Sequence, residues 1–381
     1  MPQGEWLQAR IGDLGRVVTG ATPRAAEDDA WGDEVDFITP RDQRPGYRGA
    51  TARRRLSAAG AARLAVRLLP AGSTCVTCIG ETIGKTSLTT RPAVTNQQIN
   101  SVIPDPGAVR APFLYYLLTA CGPRLAQAAS GSAARIVNKR QFERFWVLVP
   151  PLAEQDRVVR ILGALDDKVV ANAKAAATAL DLADALLDQA LASGQATSCR
   201  LGDLADLRYG RALPAAIRRP GTVPVYGSAG VVGSHDLPLV AGPGIVIGRK
   251  GAVGTVHWSQ RDFWPIDTVF YVRPAGGAVP LELLFLALRR IGLPSLRGDS
   301  AVPGLTRSSV TTSDIRLPPK SALGDLAEAA GRLLALRASL AAESAQLMSL
   351  RDTLLAGLVR AGGNLSVSNE ALVPLDQRGL H

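Results

Sequence analysis

Two segments of this chain contain no aromatic residue and place apolar side chains every three or four positions. After Pro150-Pro151 the run is Val158, Leu162, Leu165, Val169, Ala173, Ala176, Leu180, Ala183, Leu187 and Leu191. After Pro318-Pro319 it is Leu323, Leu326, Ala330, Leu333, Leu340, Leu347, Leu350, Leu354 and Leu358, interrupted by Arg337 and Ser344. This spacing is the seam of a coiled coil. A Pro-Pro pair suits the boundary just ahead of a helix. Ser193-Gly194 and Gly362-Gly363 close the two runs. The first span, about 40 residues, would be on the order of 60 Å long at 1.5 Å per residue. Two arrangements satisfy the pattern. Each helix packs on its own domain, or the two form an antiparallel pair that holds two domains apart. The duplication and the missing aromatics favour the pair.

The rest of the chain has the opposite character. All 18 Phe, Trp and Tyr residues lie before position 151 or between 200 and 319. Charge follows the same division. Of the net +10, residues 1–150 carry +7 and residues 200–319 carry +6, against −3 for 151–199 and 0 for 320–381. Short β-like runs separated by Gly and Pro turns include Thr74–Ile79, Ile99–Ile103, Gly244–Gly248 and Thr268–Val272. Helices are expected at Pro112–Ala120 and Leu281–Arg290.

The halves are related. Arg10-Ile-Gly-Asp-Leu14 matches Arg200-Leu-Gly-Asp-Leu204, 190 residues on. Ile79-Gly80 is aligned with Ile247-Gly248, and Val149-Pro150-Pro151 with Leu317-Pro318-Pro319, both 168 residues on. Features in the same order imply a duplicated unit of globular domain plus long helix. The fold class expected is α+β: two mixed, mainly β domains in a pseudo-two-fold repeat, separated by two long antiparallel coiled-coil helices. The boundaries expected are 1–150, 151–199, 200–319 and 320–362, with a flexible tail at 363–381.

Several functions find little support. Four cysteines in 381 residues make no disulfide framework. The opening MPQGEWLQAR lacks an apolar signal core, and no run of 18 apolar residues exists. No membrane partner and a cytoplasmic location are therefore expected. Gly80-Glu-Thr-Ile-Gly84-Lys85-Thr86 has three residues between its glycines, where a phosphate-binding loop needs four, and reads as a turn between strands. It is the sole support for a nuclease or ATPase. Cys75 and Cys78 would point to opposite faces of a strand and read as buried, unligated thiols rather than a zinc site. With His235, His257 and His381 alone, a Ser-His-Asp triad is poorly supported. No catalytic or metal residue is expected.

What remains is basic side chains among turns and aromatics. Two separate basic domains look like two nucleic-acid readers, in which phosphate contacts supply affinity and Arg, Asn or Gln read base edges. The candidates are Arg41, Arg44, Arg48, Lys85, Asn96, Gln97, Arg135, Lys139 and Arg140 in the first half. In the second they are Arg208, Arg211, Arg249, Lys250, Arg297 and Arg307. For any one of them a solvated basic face is an equal reading, and Asn96-Gln97-Gln98 reads equally as a capped turn.

Over residues 6–361 the chain resembles the specificity (S) subunit of type I restriction–modification systems. The first half carries Ile11-Gly-Asp-Leu14, Gly20-Ala-Thr-Pro23, Trp31 to Ile38-Thr-Pro-Arg-Asp42, Asn96-Gln97, Gly131–Ile136 and Pro150-Pro-Leu-Ala-Glu-Gln155. The second carries Pro224-Val-Tyr-Gly227, Gly230, Ile247-Gly-Arg-Lys-Gly-Ala-Val-Gly254 and Phe263-Trp-Pro-Ile-Asp-Thr268. Its second Pro-Pro is followed by Ser321-Ala-Leu-Gly324 instead of Glu-Gln, which leaves the start of the second helix open. The resemblance implies two target-recognition domains, each reading half of a split, asymmetric sequence in double-stranded DNA. It implies helices that set the spacing and dock two methyltransferase (M) subunits. No cofactor would be bound by this chain. S-adenosylmethionine would belong to the M subunits, and ATP with Mg to a restriction (R) subunit. The alternative is a non-sequence-specific DNA-binding or assembly adaptor in a phage-defence complex.

Overall fold

The computed structural model describes residues 6–24, 28–44, 46–129, 135–193, 195–276, 279–296 and 304–363, with side-chain surroundings as far as 357. Arg297, the start of the Gly131–Ile136 run, Gly194 and the tail after Gly363 lie outside the described residues. Two compact units are present: residues 1–171 with 344–381, and residues 172–343. Each long helix therefore gives one half to each unit.

The first unit opens with β1 (Leu7–Arg10), β2 (Gly15–Thr19), β3 (Trp31–Gly32), β4 (Val35–Ile38) and β5 (Arg54–Leu56). Next come α1 (Ala58–Arg63), β6 (Thr74–Thr77), β7 (Thr86–Leu88), β8 (Ala93–Thr95) and β9 (Ile99–Pro104). Then follow α2 (Ala111–Ala128), α3 (Lys139–Glu143), β10 (Trp146–Val149) and α4 (Leu152–Ala192). The second unit continues with β11 (Thr197–Arg200), α5 (Leu201–Leu204), β12 (Ala205–Tyr209), β13 (Val223–Gly227) and β14 (Gly230–His235). After these come β15 (Gly244–Gly248), β16 (Val256–Ser259), β17 (Trp264–Pro265) and β18 (Val269–Pro274). It ends with α6 (Leu281–Leu288), α7 (Arg307–Thr311), β19 (Asp314–Leu317) and α8 (Leu323–Gly363).

The units share a topology. One sheet has the order β2-β9-β6-β7 in the first and β12-β18-β15-β16 in the second, antiparallel throughout. A second sheet contains a parallel pair, β4·β8 in one and β13·β17 in the other. A two-stranded clasp closes each domain ahead of its long helix, β1·β10 and β11·β19. The clasp registers pair Leu7 with Val149 and Thr197 with Leu317, so offsets of 190 and 168 hold at both ends.

Between the ends the sequence alignment needs correction. Thr77 opposes Ile99 and Gly248 opposes Val269, while Gly20 and Gly210 donate to the carbonyls of Ile99 and Val269. Thr77 is thus the partner of Gly248, and Ile79-Gly80 corresponds to Lys250-Gly251, not Ile247-Gly248. Strand register, set by which face is buried, outranks a two-residue identity.

The cores explain the elements. Strand β6 is wholly buried, with Cys75 facing one hydrophobic cluster and Cys78, just past its end, another. Helix α2 outruns the expected end at Ala120 and continues through Pro123 to Ala128. Cys121 and Leu125 are buried in the first unit's core, which offsets the cost of an internal proline. Helix α8 begins at Leu323, after a tight 3-10 turn at Lys320–Ala322. In the first repeat Gln155 pins the helix start by donating to the Pro150 carbonyl and accepting from the Arg110 amide. Leu323 stands at that place in the second.

The helices run antiparallel within each unit. In the first, Val158 and Leu162 of α4 share a core with Leu355 of α8; in the second, Ala183 and Leu187 share one with Leu326, Ala330 and Leu334. The seam differs in detail from an apolar-only reading. Ala173, Leu350 and Leu354 are exposed, while Asp166, Asn172 and Arg351 are buried. Polar side chains enter the seam because each finds a partner: Asp166 with Arg351, and Asn172 with Glu343. No described helix is long and apolar enough to cross a membrane.

Candidate nucleic-acid interface

In the first unit the ends of β4 and β8 form one rim of a cleft. The parallel register places Ile38 beside Thr95, and the Asn96 amide donates to the Ile38 carbonyl at 3.0 Å. The chain then leaves both strands at the same level. The cavity there is about 550 Å³ and is lined by Phe37, Thr39, Pro40, Arg41, Asp42, Arg53, Arg54, Asn96 and Gln98. Asp42 is buried and holds the loop: its carboxylate accepts from the Thr39 amide and hydroxyl and from the Arg53 amide. Lys85 is half-buried and donates to the Pro40 carbonyl at 2.7 Å, so it fastens the cleft floor. Arg54 stacks over Trp31 with its guanidinium carbon 3.3 Å from the ring centroid.

The turn after β6 borders the cleft. Gly84 has φ +90° and its α-carbon faces the backbone of Gly122, where a Cβ would lie 2.5 Å from the Gly122 oxygen. Only glycine fits that turn. This is a tight connection between β6 and β7, as the three-residue glycine spacing implied.

The second unit builds the same frame from other side chains. The Ile266 amide donates to the Tyr226 carbonyl, as Asn96 does to Ile38. Thr255 Oγ1 donates to the Ser228 carbonyl at the place where Lys85 serves Pro40. Arg249 lies 5.1 Å over the ring of Tyr209, which is 54% exposed, and donates to the Asp267 carbonyl at 3.1 Å. The Arg211 backbone donates to the Pro265 carbonyl and accepts from the Trp264 indole, and the residue is exposed. Lys250 is exposed and bridges to Gly304.

The sequence candidates therefore divide. Arg41 and Asn96 share the first cleft, with Lys85 beneath it. Gln97 is exposed beside it and accepts from Thr22 Oγ1. Arg44 and Arg48 instead line a different cavity against α4, where Arg48 meets Asp166 and Asp167. Arg135 turns its guanidinium back to the Ala126 carbonyl at the end of α2. Lys139 and Arg140 sit on α3, with Lys139 paired to Glu143. In the second unit Arg211 is anchored through its backbone to Pro265, and Arg249 and Lys250 through theirs to Thr268, whereas Arg208 and Arg307 converge on Asp206. The first cleft also holds Arg53, Arg54 and Gln98, which are not among those candidates. Their signal was an arginine run and an amide run, neither of which reveals which member faces inward.

The cysteines are not part of either cleft. Burial pushes the Cys75 thiol up to about 12 and those of Cys78 and Cys121 to about 11. Among the described residues no group of His, Cys, Asp or Glu has the arrangement of a metal site.

Comparison with known proteins agrees with this architecture. Residues 3–178 match the family model described as "Type I restriction modification DNA specificity domain". This stretch of the chain is therefore similar to the type I specificity subunits. The specificity subunit of the type I restriction enzyme HindI from Haemophilus influenzae is 35% identical over 153 residues, which cover 39% of this chain and 33% of that protein. The MjaIX specificity subunit of Methanocaldococcus jannaschii is 25% identical over 170 residues, covering 43% of this chain and 39% of that one. The matched part thus spans between a third and two fifths of those relatives. The crystal structure of a type I S subunit from M. genitalium superposes over 94% of this chain and 97% of its own, with a TM-score of 0.57 at 15% identity. At that identity the likeness concerns the fold alone, and it covers both repeats.

Proposed function

We propose that this chain is the DNA sequence-specificity subunit of a type I restriction–modification complex. Residues 1–150 and 200–319 act as target-recognition domains, each reading one half of a bipartite, asymmetric target in double-stranded DNA. The observation that carries this reading is the repeated frame with divergent side chains at the same place. Equal frames present the same loop ends to a duplex, while different side chains there recognise different base edges. The basic surplus on both domains supplies the phosphate attraction.

The helices at 151–199 and 320–362 set the spacing of the half-sites and dock two M subunits. A helix of 41 residues, on the order of 60 Å at 1.5 Å per residue, matches one to two turns of DNA. The chain contributes no chemistry of its own. S-adenosylmethionine binds the M subunits, which methylate adenine, and ATP with Mg binds the R subunit that joins for cleavage.

The test is co-expression of the full chain with a cognate M subunit, followed by sequencing of methylated DNA. A two-part motif that appears only with this chain is the expected result. Methylation independent of the chain would overturn the reading. Methylation without a motif would favour an assembly adaptor instead.

A further inference from the structure

One side chain in the first cleft has a fixed hydrogen-bonding polarity. Asn96 is buried, and its Oδ1 accepts from the backbone amide of Gln98 at 3.2 Å. That amide can only donate, so the Asn96 oxygen is identified without ambiguity. Its Nδ2 must then be the atom that contacts Gln98, at 2.9 Å, and the Gln98 atom it meets must be Oε1. The Gln98 Nε2 group is therefore a donor directed away from Asn96, and Oε1 keeps a second lone pair. Gly80 borders Nε2 without crowding it, since even an added Cβ there would lie 4.0 Å away, an ordinary contact. The result is one donor and one acceptor held side by side at the wall of a cavity that also contains Arg41, Arg53 and Arg54.

Among the base edges of the major groove, adenine matches this pair, offering an N7 acceptor beside an N6 donor. We propose that Gln98 reads an adenine in the half-site of the first recognition domain, with Asn96 as its positioning residue. This rests on the DNA-specificity reading above. The second unit has Ile266 and Thr268 at the equivalent positions, since Thr268 accepts from Arg249 as Gln98 accepts from Cys78. The amide pair is thus confined to one half of the target.

The experiment is selection from a randomised DNA pool by the complex of the full chain with its M subunit. Binding is read directly, so an adenine that happens to be methylated does not confuse the result. The wild type should enrich a two-part motif with an adenine at one position of one half. Gln98→Ala should lower discrimination at that position about 10-fold or more and leave the other half unchanged. Gln98→Glu keeps the acceptor for Asn96 and loses the outward donor, so preference there should move toward cytosine. Asn96→Ala should relax the same position alone, because it frees the Gln98 rotamer. An unchanged motif in Gln98→Ala, or relaxation only at a position that is not adenine, overturns the assignment while leaving the specificity reading intact. A wild-type complex that enriches no motif overturns both.

Discussion

The carboxylate of Asp166 on α4 and the guanidinium of Arg351 on α8 meet at 2.9 Å, with side chains only 3% and 6% exposed. Tyr116 of α2 donates to the same carboxylate at 2.7 Å, and burial together with that bond keeps its hydroxyl protonated. Arg351 also donates to the Gly46 carbonyl. The 168-residue offset of the clasps places Leu334 opposite Asp166 and Ala183 opposite Arg351 in the repeat, and both are buried. In the first unit the two helix segments are joined by an ion pair, and in the second unit by apolar packing at the equivalent place. The two pairings are chemically incompatible: α4 against another α4 would set Asp166 against Ala183.

Removing Arg351 leaves the buried Asp166 with the Tyr116 hydroxyl and the longer, 3.5 Å approach of the partly exposed Arg48. Arg351→Met should destabilise the first unit by about 1–3 kcal/mol. The double variant Asp166→Leu/Arg351→Ala, which copies the other repeat, should recover most of that loss, and adding Tyr116→Phe should recover the rest. Thermal unfolding of the three variants checks the order. A double variant as unstable as Arg351→Met would refute the packing argument.

Gly20 and Gly210 allow the strand ends to meet. A Cβ at either would lie 2.1 Å from a backbone oxygen, that of Thr95 or of Ile266. Gly20→Ala should disturb only the first recognition domain and Gly210→Ala only the second. Motif selection with each variant should lose one half of the target and keep the other.

The thiols report on burial. With Cys75, Cys78 and Cys121 raised by desolvation and Cys199 half-exposed, alkylation at pH 8 should label Cys199 first. The other three should react only on unfolding, as peptide mass analysis would show. The sign for stability follows. A thiol raised in the fold stabilises fully below its ordinary value of 9.0, and that contribution disappears as pH rises through about 11 to 12. Alkaline unfolding should therefore steepen above pH 9, and less so in Cys75→Ser.

In the second unit Arg290 joins α6 to Asp184 and Asp188 of α4, at 2.8 and 2.9 Å. Arg290→Ala should cost about 1–3 kcal/mol, because Asp184 is mostly buried and loses a charged partner. The bond to Arg290 holds the Asp188 carboxyl below its ordinary 3.8. Its contribution is present above that value and lost as pH falls through the lowered one. Acid titration of unfolding should show a loss below about pH 4 that is smaller in Arg290→Ala.

Much of the architecture was legible because it is local or repeated. The 3-4 spacing gave the helices, and the turn residues separated the strands. Seam membership was less legible. An apolar-only reading chose Ala173, Leu350 and Leu354 where the structure buries Asn172, Arg351 and Leu355. A polar residue is accepted in a seam only if a partner distant in sequence satisfies it, and Asp166 and Arg351 are 185 positions apart.

The clefts show the same division. A list of basic residues contained Arg41 and Arg249, yet it gave equal weight to Arg48, whose partners are the α4 carboxylates, and to Arg307, which faces Asp206. Asn96-Gln97-Gln98 was visible as an amide run. That Gln97 points to Thr22 while Gln98 faces the cavity depends on the β4·β8 register and on the Asn96 bond.

The sequence alone determined the duplication, the two helices and the concentration of positive charge on two domains, since these reside in periodicity and composition. Tertiary structure decided which residues are equivalent between repeats, which polar groups are buried, and which amide faces outward. Those depend on strand register and on long-range hydrogen bonds, and neither is fixed by neighbours along the chain.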